Sequence, residues 1–387
     1  MHYAIVSETY PPEVNGVALT VQALEQGLRA RGHDVDVIRP RQREAAAPVP
    51  GELLVRGVRL PRYPGLQFGL PVTRKLLRHW KADPPTAIYI ATEGPLGWSA
   101  LRAARRLGIP VATGLHTRFD QYMRDYGAAW LAPVALGWMR RFHNRADATL
   151  VPTRELTGLL ELHGLTNARR LPRAVDTKRF NPGWRDADLR RQWGAGPHDL
   201  VVLHVGRLAA EKNLDLAVRA FRRVQQVRPD ARFVWVGDGP ARARLEADNP
   251  DFIFTGVQRG ESLARHYAGG DLFLFPSRSE TFGNVTLEAM ASGVPTIAFD
   301  YGATREHLRD GEHGAAIADG DDDGFIAAAM RLAGDDDTRT AMSRAVVDAV
   351  SQLRPQQVAA DFDALLQQLA HGGRHEPSAL AQTPHGR

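Results

Sequence analysis

The sequence predicts an α/β protein of two domains, each built around a parallel β-sheet. The chain has 387 residues, and at about 100–200 residues per domain this length suits two domains. Short apolar runs alternate with amphipathic helical segments in both halves, which is typical of parallel sheets covered by helices on both faces. A segment with two prolines and mixed charge, Leu171–Trp184, separates the two series.

The first series begins at the N-terminus. Its apolar runs predict strands at Tyr3–Val6, Val35–Ile38, Ala87–Ile90, Pro110–Thr113 and Thr149–Pro152. Helical spacing is found at Leu19–Arg31 and Ser99–Leu107. Each of these helices is followed by a glycine, which suits the left-handed position after a helix.

The second series repeats this order. It predicts strands at Leu200–Val205, Arg232–Val236, Phe252–Thr255, Asp271–Phe275 and Thr296–Ala298. It predicts helices at Leu214–Val227 and Val285–Ala291, and Thr338–Ala370 also has a helical pattern. We therefore predict domains at 1–174 and 175–345, a C-terminal helical segment at 346–370 that packs back on the first domain, and a disordered tail at 371–387.

Composition excludes several classes of chemistry. The chain has no cysteine, which rules out disulfides, cysteine zinc sites and thiol catalysis and fits a reducing cytoplasm. Neither a signal peptide nor an apolar stretch of the about 20 residues that span a bilayer is predicted. Residues 1–190 hold 28 Lys and Arg against 17 Asp and Glu. This basic excess suits an anionic partner, such as a membrane surface or nucleic acid, or is simply an arginine-rich soluble surface.

One candidate ligand loop follows the predicted strand Asp271–Phe275. Loops between a strand end and a helix start are where α/β sheets bind ligands, and free N–H groups at a helix start favour phosphate. The N–H groups of Phe282, Gly283 and Asn284 are placed to hold a diphosphate. Glu280 is suited to sugar hydroxyls and Glu288, two helical turns on, to a ribose diol. The alternative is that Glu280 caps the helix and Glu288 is a solvated helix residue.

Three further segments follow predicted strands. Arg207 and Lys212 supply two cations that neutralise a leaving diphosphate, unless they are only surface charges with Lys212 balanced by Glu211. Gly16 begins a helix where a phosphate can approach, or belongs to an ordinary strand–helix turn. His116 can bind a sugar hydroxyl or organise the reacting centre, or it is structural.

Together these segments resemble the retaining glycosyltransferases of family 4, also called glycosyltransferase group 1, from Met1 to about Ala370. The most specific matches are Ser279–Gly283 and Glu288–Pro295; the others are Gly16, His116, Gly206-Arg207 with Lys212, and Gly256-Val257. The resemblance implies a GT-B fold, in which two Rossmann-like domains face a central cleft. It places His116, Arg207, Lys212 and Glu280 at the reacting centre. It assigns donor binding to Gly16, Val257, Phe282, Gly283, Asn284 and Glu288.

The resemblance also implies a hexose transferase that uses a nucleotide-diphosphate sugar, retains the anomeric configuration and needs no metal or other cofactor. Asp34-Val35-Asp36 lacks the clustered oxygen ligands of a metal site, so no metal residues are predicted. Within the family, the chain resembles the branch that glycosylates lipids, including GDP-mannose-dependent mannosyltransferases and diacylglycerol glycosyltransferases. GDP-mannose is the favoured donor, with UDP-hexose next.

The acceptor is expected to bind the N-terminal half, as a membrane lipid or glycolipid. The segments Val72–Lys81 and Gly127–Met139 combine basic and aromatic residues, which suits a peripheral site on the inner face of the cytoplasmic membrane or merely core-packed helices with solvated arginines. Alternatives are a soluble or polysaccharide acceptor, a nucleotide-sugar epimerase, and a nucleotide-sugar-binding homologue without transfer activity. No nucleic-acid motif is recognised.

Overall fold

The structure is a computed structural model that describes residues 1–13, 15–41, 50–59, 67–116 and 132–372. The chain divides into two compact units, one made of 1–114, 141–150 and 359–387 and the other of 115–140 and 151–358. Each unit is centred on a parallel sheet, as the sequence predicts.

The strands are short and mostly buried. In chain order they are β1 His2–Val6, β2 Asp34–Pro40, β3 Glu52–Val55, β4 Gly57–Arg59, β5 Gln67–Gly69, β6 Ala87–Ile90, β7 Val111–Gly114, β8 Ala148–Val151, β9 Ala168–Arg170, β10 Val201–Val205, β11 Arg232–Val236, β12 Ile253–Gly256, β13 Leu272–Phe275, β14 Thr296–Phe299 and β15 Gly314–Ile317.

The helices alternate with these strands. They are α1 Gly16–Ala30, α2 Thr73–Ala82, α3 Pro95–Leu107, α4 Ala132–His143, α5 Arg154–Leu162, α6 Ala187–Gln192, α7 Leu214–Val227, α8 Arg242–Asp248, α9 Gly260–Ala268, α10 Asn284–Ala291, α11 Gly302–His307, α12 Asp322–Gly334, α13 Asp336–Val350 and α14 Pro355–Gly372, with 3₁₀ turns at Pro182–Trp184 and Ala210–Lys212.

The first sheet has the strand order β3-β2-β1-β6-β7-β8-β9. Its registered pairs from β3 to β8 are all parallel. The order runs one way from β1 to β3 and the other way from β6 onward, so β1 and β6 flank a switch point at which α/β sheets bind ligands. The antiparallel pair β4–β5 is a separate hairpin.

The second sheet has the order β12-β11-β10-β13-β14-β15, again with parallel pairs. Its central strands are buried along their whole length, as expected for a sheet covered on both faces. One face packs on α7 and α12, with Phe233, Trp235 and Phe325 in the core. The switch point lies between β10 and β13, and their carboxyl ends position the candidate site.

All ten predicted strands are present, with bounds that differ by at most two residues. The helical region predicted at Thr338–Ala370 is broken into α13 and α14. In α14, Asp363 is buried within the first unit, where Tyr3 donates a 2.9 Å hydrogen bond to it and Arg31 forms an ion pair. The helix continues to Gly372, and residues 373–387, where we predict a disordered tail, lie outside the described residues.

The basic segment Val72–Lys81 contains helix α2. Leu76 and Trp80 are buried in the core of the first unit, whereas Arg74, Lys75 and Arg78 are exposed. The side chains of Leu76 and Trp80 are therefore unavailable to lipid, which contradicts the interfacial interpretation of Trp80, while the three exposed basic residues give the helix a cationic face.

Candidate active site

The candidate site lies at the carboxyl edge of the second sheet, where the loops after β10 and β13 meet. The loop after β10 carries Arg207 and the 3₁₀ turn that ends at Lys212. The loop after β13 carries Glu280 and leads into α10. Because these strands flank the switch point, their loops diverge above the sheet and leave room for a ligand.

Lys212 and Glu280 form the centre of this site. The Nζ of Lys212 donates a hydrogen bond to Oε1 of Glu280, and each side chain is 19% exposed. Ser277 Oγ also donates to Oε1 at 2.9 Å. Burial acts to raise the pKa of Glu280, but the charge and hydrogen bond of Lys212 outweigh it, so the pKa lies below its usual value. The carboxylate is therefore ionised at neutral pH.

Two further hydrogen bonds join the same loops. The side-chain amide of Asn213 donates to the carbonyl of Pro276 at 3.3 Å, and Ser279 Oγ donates to the carbonyl of Glu211 at 3.1 Å. Asn213 has a left-handed backbone with φ of 53°, a conformation that asparagine tolerates better than most residues. These bonds hold Lys212 and Glu280 in register from two separate loops.

Arg207 is more open than Lys212. Its side chain is 45% exposed, and Nη1 lies 3.5 Å from Oε1 of Glu211. Glu211 thus faces Arg207, while Lys212 faces Glu280, which overturns the alternative that Glu211 balances Lys212. Its exposed guanidinium lies at a strand end, where a bidentate cation suits an anionic ligand.

Tyr301, in the loop after β14, forms hydrogen bonds with the backbone of the loop that carries Glu280. Its hydroxyl donates to the carbonyl of Ser277 at 2.8 Å and accepts from the backbone N–H of Glu280 at 3.2 Å. Burial raises the pKa of Tyr301 far above its usual range, so the phenol stays protonated. Three loops at the same sheet edge therefore fix the position of the Glu280 carboxylate.

The start of α10 forms a backbone cradle. Gly283 is the N-cap, in a left-handed conformation with φ of 91° and no side-chain cap; Glu280 therefore does not cap this helix. None of the hydrogen bonds among the described residues uses the N–H groups of Phe282, Gly283 or Asn284. The Phe282 ring is 6% exposed and packs on His307, and its carbonyl accepts from Ala303 N–H at 2.7 Å. Phe282 thus offers backbone rather than ring to a ligand.

Glu288 lies on α10, about one turn after Asn284. Tyr267 donates a 2.8 Å hydrogen bond to its Oε2. Burial raises the pKa of the Glu288 carboxyl, partly opposed by the tyrosine hydrogen bond. The alternative of a freely solvated helix residue is therefore excluded.

His204, on β10, is buried near Lys212 and Glu280. Its Nδ1 lies 3.1 Å from the carbonyl of Leu274, so Nδ1 carries the proton and Nε2 has no partner among the described residues. Burial, aided by the positive charge of Lys212, lowers the pKa of His204 to about 4. The imidazole is neutral, and it adds no charge to the floor of the site.

Comparison with known proteins places this geometry in a family. Residues 199–335 match a family model described as glycosyl transferases group 1, and residues 14–179 match one described as glycosyltransferase family 4. A GDP-mannose-dependent alpha-mannosyltransferase of Mycolicibacterium smegmatis is 37% identical over 315 residues, which cover 79% of this chain and 81% of that protein. The chain belongs to glycosyltransferase family 4.

Other similar proteins agree with this assignment. An alpha-monoglucosyldiacylglycerol synthase of Streptococcus pneumoniae is 27% identical over 77% of this family 4 chain and 71% of its own. A sucrose-phosphate synthase from Thermosynechococcus elongatus superposes with a TM-score of 0.76 at 20% identity, covering 96% of this chain and 99% of that one. The fold is GT-B, as the resemblance implies, and the protein is a glycosyltransferase.

Three other predicted residues of this glycosyltransferase make no described contact with Lys212 or Glu280. They are His116, Gly16 and Val257. His116 lies two residues after the end of β7, and its Nδ1 is 2.8 Å from Nη2 of Arg173. Gly16 is the first residue of α1. Val257, 52% exposed, follows the left-handed Gly256 at the end of β12. The catalytic role of His116 and the donor-binding roles of Gly16 and Val257 stay predictions, and residues 117–131 beside His116 lie outside the described part of the chain.

Sequence reasoning missed four residues of this family 4 site: His204, Tyr267, Ser277 and Tyr301. Ser277 and Tyr301 follow predicted strands, so the sequence already indicates that they lie at the carboxyl edge of the sheet, near the candidate site. Tyr267 ends a helix and His204 lies inside a strand, and only the tertiary structure brings them under the site. Among the described residues, no group of three or more His, Asp or Glu side chains is placed to hold a metal ion.

Proposed function

We propose that this glycosyltransferase transfers a hexose, with retention of configuration, from a nucleotide-diphosphate sugar to a membrane lipid or glycolipid. The observation that carries the proposal is the Lys212–Glu280 pair beside the open N–H groups that begin α10. A cation and backbone donors suit a diphosphate, and an ionised carboxylate suits sugar hydroxyls.

The roles follow from this chemistry. The bond between the anomeric carbon and the diphosphate oxygen breaks, and Arg207 and Lys212 stabilise the charge that develops on the diphosphate. Glu280 binds donor-sugar hydroxyls, Glu288 binds the ribose, and the N–H groups after Phe282 hold the phosphates. The acceptor hydroxyl oxygen bonds to the anomeric carbon, and its proton passes to the leaving diphosphate. His116, Gly16 and Val257 complete the proposed site, and no metal takes part.

The relatives support the donor and the acceptor class. GDP-mannose is favoured because three mannosyltransferases named for it are 36% or 37% identical to this chain, and a UDP-hexose is the second choice. The names of further relatives include diacylglycerol and phosphatidylinositol dimannoside, so a lipid acceptor bound by residues 1–174 is proposed. We place the enzyme in the cytoplasm, in peripheral contact with the inner face of the membrane. No helix in the described part of the chain is long and apolar enough to span it.

The donor is tested by thermal unfolding of the full chain with GDP, UDP and ADP and their sugar conjugates. A ligand of the native state at a hundredfold excess over Kd adds about 2.7 kcal/mol of stability. We expect the largest shift with GDP-mannose, and little shift in Arg207→Ala. If no nucleotide raises the unfolding temperature of the wild type, the donor site assignment is wrong and a silent homologue or another function is favoured.

The acceptor is tested with the donor so identified. Product lipid should form from phosphatidylinositol, a mannosylated glycolipid or diacylglycerol, with an α-anomeric proton by NMR and an unchanged rate in EDTA. Transfer to soluble sugars or polysaccharide alone would replace the lipid proposal, and sugar interconversion without transfer would indicate an epimerase. Loss of activity in EDTA that is restored by a divalent metal would contradict the metal-free mechanism.

A further inference from the structure

Helices α5 and α11 contact each other near their N-termini, within the second unit. The N–H of Gly302, the first residue of α11, donates to Oε2 of Glu155 on α5 at 3.3 Å. The N–H of Arg154, the first residue of α5, donates to Oε1 of Glu306 on α11 at 2.6 Å. Each helix therefore supplies a carboxylate that accepts from the first N–H of the other. These reciprocal contacts form the α5–α11 clamp, made of Arg154, Glu155, Gly302 and Glu306.

Each carboxylate of the clamp also has a cationic partner. Oε1 of Glu155 lies 3.0 Å from Nη1 of Arg305, and Oε2 of Glu306 lies 2.8 Å from Nη2 of Arg170. One oxygen of each carboxylate thus accepts from a backbone N–H and the other from a guanidinium. Because charge-assisted hydrogen bonds are stronger than neutral ones, both side chains are held firmly in place.

The buried apolar side chains of the two helices belong to different clusters. Leu156 and Leu160 of α5 are buried in a cluster with Val151. Ala303 of α11 is buried in a separate cluster that includes Phe282. The hydrogen bonds and ion pairs of the clamp therefore set how the start of α11 lies against α5.

The clamp lies next to the loop that carries Glu280. Tyr301 immediately precedes Gly302, and its hydroxyl accepts from the backbone N–H of Glu280 at 3.2 Å. Glu155, Glu280 and Tyr301 also line one small cavity of about 10 Å³. A shift of α11 relative to α5 would therefore move the Tyr301 hydroxyl and, with it, the backbone of Glu280.

The start of α11 also contacts the backbone cradle of α10. The N–H of Ala303 donates to the carbonyl of Phe282 at 2.7 Å, and Phe282 directly precedes Gly283, the N-cap of α10. The residues at the start of α11 thus reach both parts of the candidate site, Glu280 through Tyr301 and the cradle through Ala303.

We propose that Glu155 and Glu306 are positioning residues for the sugar transfer. By fixing the start of α11 they hold the Tyr301 hydroxyl and the carbonyl of Phe282, and thereby the Glu280 carboxylate and the backbone cradle. Neither glutamate needs to touch the donor. This role rests on the proposed function, since it affects the rate of transfer only if Glu280 binds the donor sugar.

The first test measures kcat and nucleotide affinity in variants of the full-length protein. Glu155→Ala should lower kcat about ten-fold, as for the loss of one charge-assisted hydrogen bond, while affinity for the free nucleotide diphosphate stays close to wild type. Glu155→Gln keeps an oxygen acceptor for Gly302 and should recover most of the lost rate. Glu161→Ala, an exposed position on the same helix, should have wild-type kcat. Unchanged kcat in Glu155→Ala, or an equal loss in Glu161→Ala, would overturn the proposal.

A double-mutant cycle separates positioning from a general loss of stability. Tyr301→Phe removes the hydroxyl through which Glu155 is proposed to act on Glu280. Glu155→Ala should therefore lower kcat by a smaller factor in the Tyr301→Phe background than in wild type, because coupled sites are not additive. Two losses that simply multiply would contradict action through Tyr301.

Amide hydrogen exchange in the unliganded protein tests the clamp independently of the proposed function. Glu155→Ala and Glu306→Ala should each speed exchange at the N–H groups of Glu280 and Ala303, whereas Glu161→Ala should not. If wild type transfers no sugar while these amides respond, the proposed function fails and the link from the clamp to the loops is still supported. Unchanged exchange at both amides in Glu155→Ala would overturn that link whether or not wild type is active.

Discussion

At the scale of single residues, Lys212 and Glu280 pair with each other in the structure, and each is also proposed to contact the donor. In the structure they form an ion pair, and in the proposed complex with a nucleotide sugar the ammonium would stabilise the diphosphate and the carboxylate would bind sugar hydroxyls. A pre-formed pair of this kind costs little reorganisation when the diphosphate leaves, because both groups are already partly desolvated and held by two loops.

The first prediction concerns Lys212→Ala. We expect kcat to fall about 100- to 1,000-fold, as for the loss of one pre-organised donor to a developing negative charge. Lys212→Arg keeps the cation and should retain more activity. Arg219→Ala removes an exposed cation that pairs with Asp322 on the helix surface, so it should have near wild-type kcat. Initial rates with the identified donor measure the effect, and equal losses in Lys212→Ala and Arg219→Ala would refute the assigned role.

The second prediction concerns Glu288, whose replacement should stabilise the fold but weaken the binding of nucleotide. Burial raises the pKa of its carboxyl, so the folded protein binds a proton there more tightly than the unfolded chain does. The resulting stabilisation is fully present below the unfolded pKa and is lost as pH rises through the folded pKa. At neutral pH, Glu288→Gln should therefore raise the unfolding temperature and weaken nucleotide binding.

The pH series gives the control. Wild type should lose stability relative to Glu288→Gln as pH increases above about 4.5, and Tyr267→Phe, which removes the hydrogen bond to the carboxylate, should increase this loss. Thermal unfolding between acid and neutral pH measures the difference. A difference between wild type and Glu288→Gln that stays constant across this range would contradict the raised pKa.

At the scale of elements, the loops after β13 and β14 depend on close backbone contact. Gly302 begins α11 with φ of 58°, and a Cβ there would lie 2.6 Å from the carbonyl oxygen of Phe282. That oxygen accepts a hydrogen bond from the N–H of Ala303, so this contact fixes the position of the backbone cradle at the start of α10.

The third prediction is that Gly302→Ala destabilises the protein and reduces activity together. The left-handed backbone costs about 1–2 kcal/mol for an alanine, and the collision with Phe282 adds about 1–3 kcal/mol. Gly311→Ala is the matched control, since Gly311 has φ of 77° but nothing within 4 Å of the added Cβ. Urea unfolding and kcat/KM should separate the two variants, and equal effects on both would show that the cradle does not depend on this contact.

Local patterns were sufficient for the elements that form the site. β10 and β13 are continuous apolar runs followed by helix signals, so both the strands and their loops were predictable. The hairpin β4–β5 and the edge strand β15, Gly314–Ile317, were not predicted, because they are three or four residues long and are held by pairing with neighbours. Similarly, sequence alone could not show that Lys212 pairs with Glu280 rather than Glu211, since the two loops meet only in the folded sheet.

At the scale of the whole molecule, each unit has a switch point, but the two switch points differ in chemistry. The second presents Lys212 and Glu280, whereas the first presents Glu8 and Glu93, after β1 and β6, both buried. Glu8 accepts a hydrogen bond from Leu96 N–H at 2.8 Å at the start of α3, and burial raises its pKa to about 7. Glu93 Oε1 lies 3.2 Å from Nε2 of His143, so both carboxyls are bonded inside the first unit, whereas Lys212 and Glu280 remain partly exposed.

The last prediction tests the membrane contact proposed for the basic half of the chain. We expect the protein to bind vesicles containing phosphatidylglycerol at low salt and not vesicles of phosphatidylcholine, with binding that weakens as salt shortens the Debye length to about 10 Å at 0.1 M. Arg74→Glu with Arg78→Glu reverses two exposed charges of α2, each worth about 1 kcal/mol near an anionic surface, and should reduce binding at least ten-fold.

Arg219→Glu with Arg223→Glu is the matched control, because it reverses two exposed charges on α7 in the second unit and should leave vesicle binding nearly unchanged. Co-sedimentation across a salt series distinguishes the mechanisms. Binding to phosphatidylcholine that resists high salt would instead indicate insertion of apolar side chains; Val134 and Trp138 of α4 are among the exposed ones. Equal weakening by both charge reversals would mean that net charge alone, and not the face of α2, attracts the protein to the membrane.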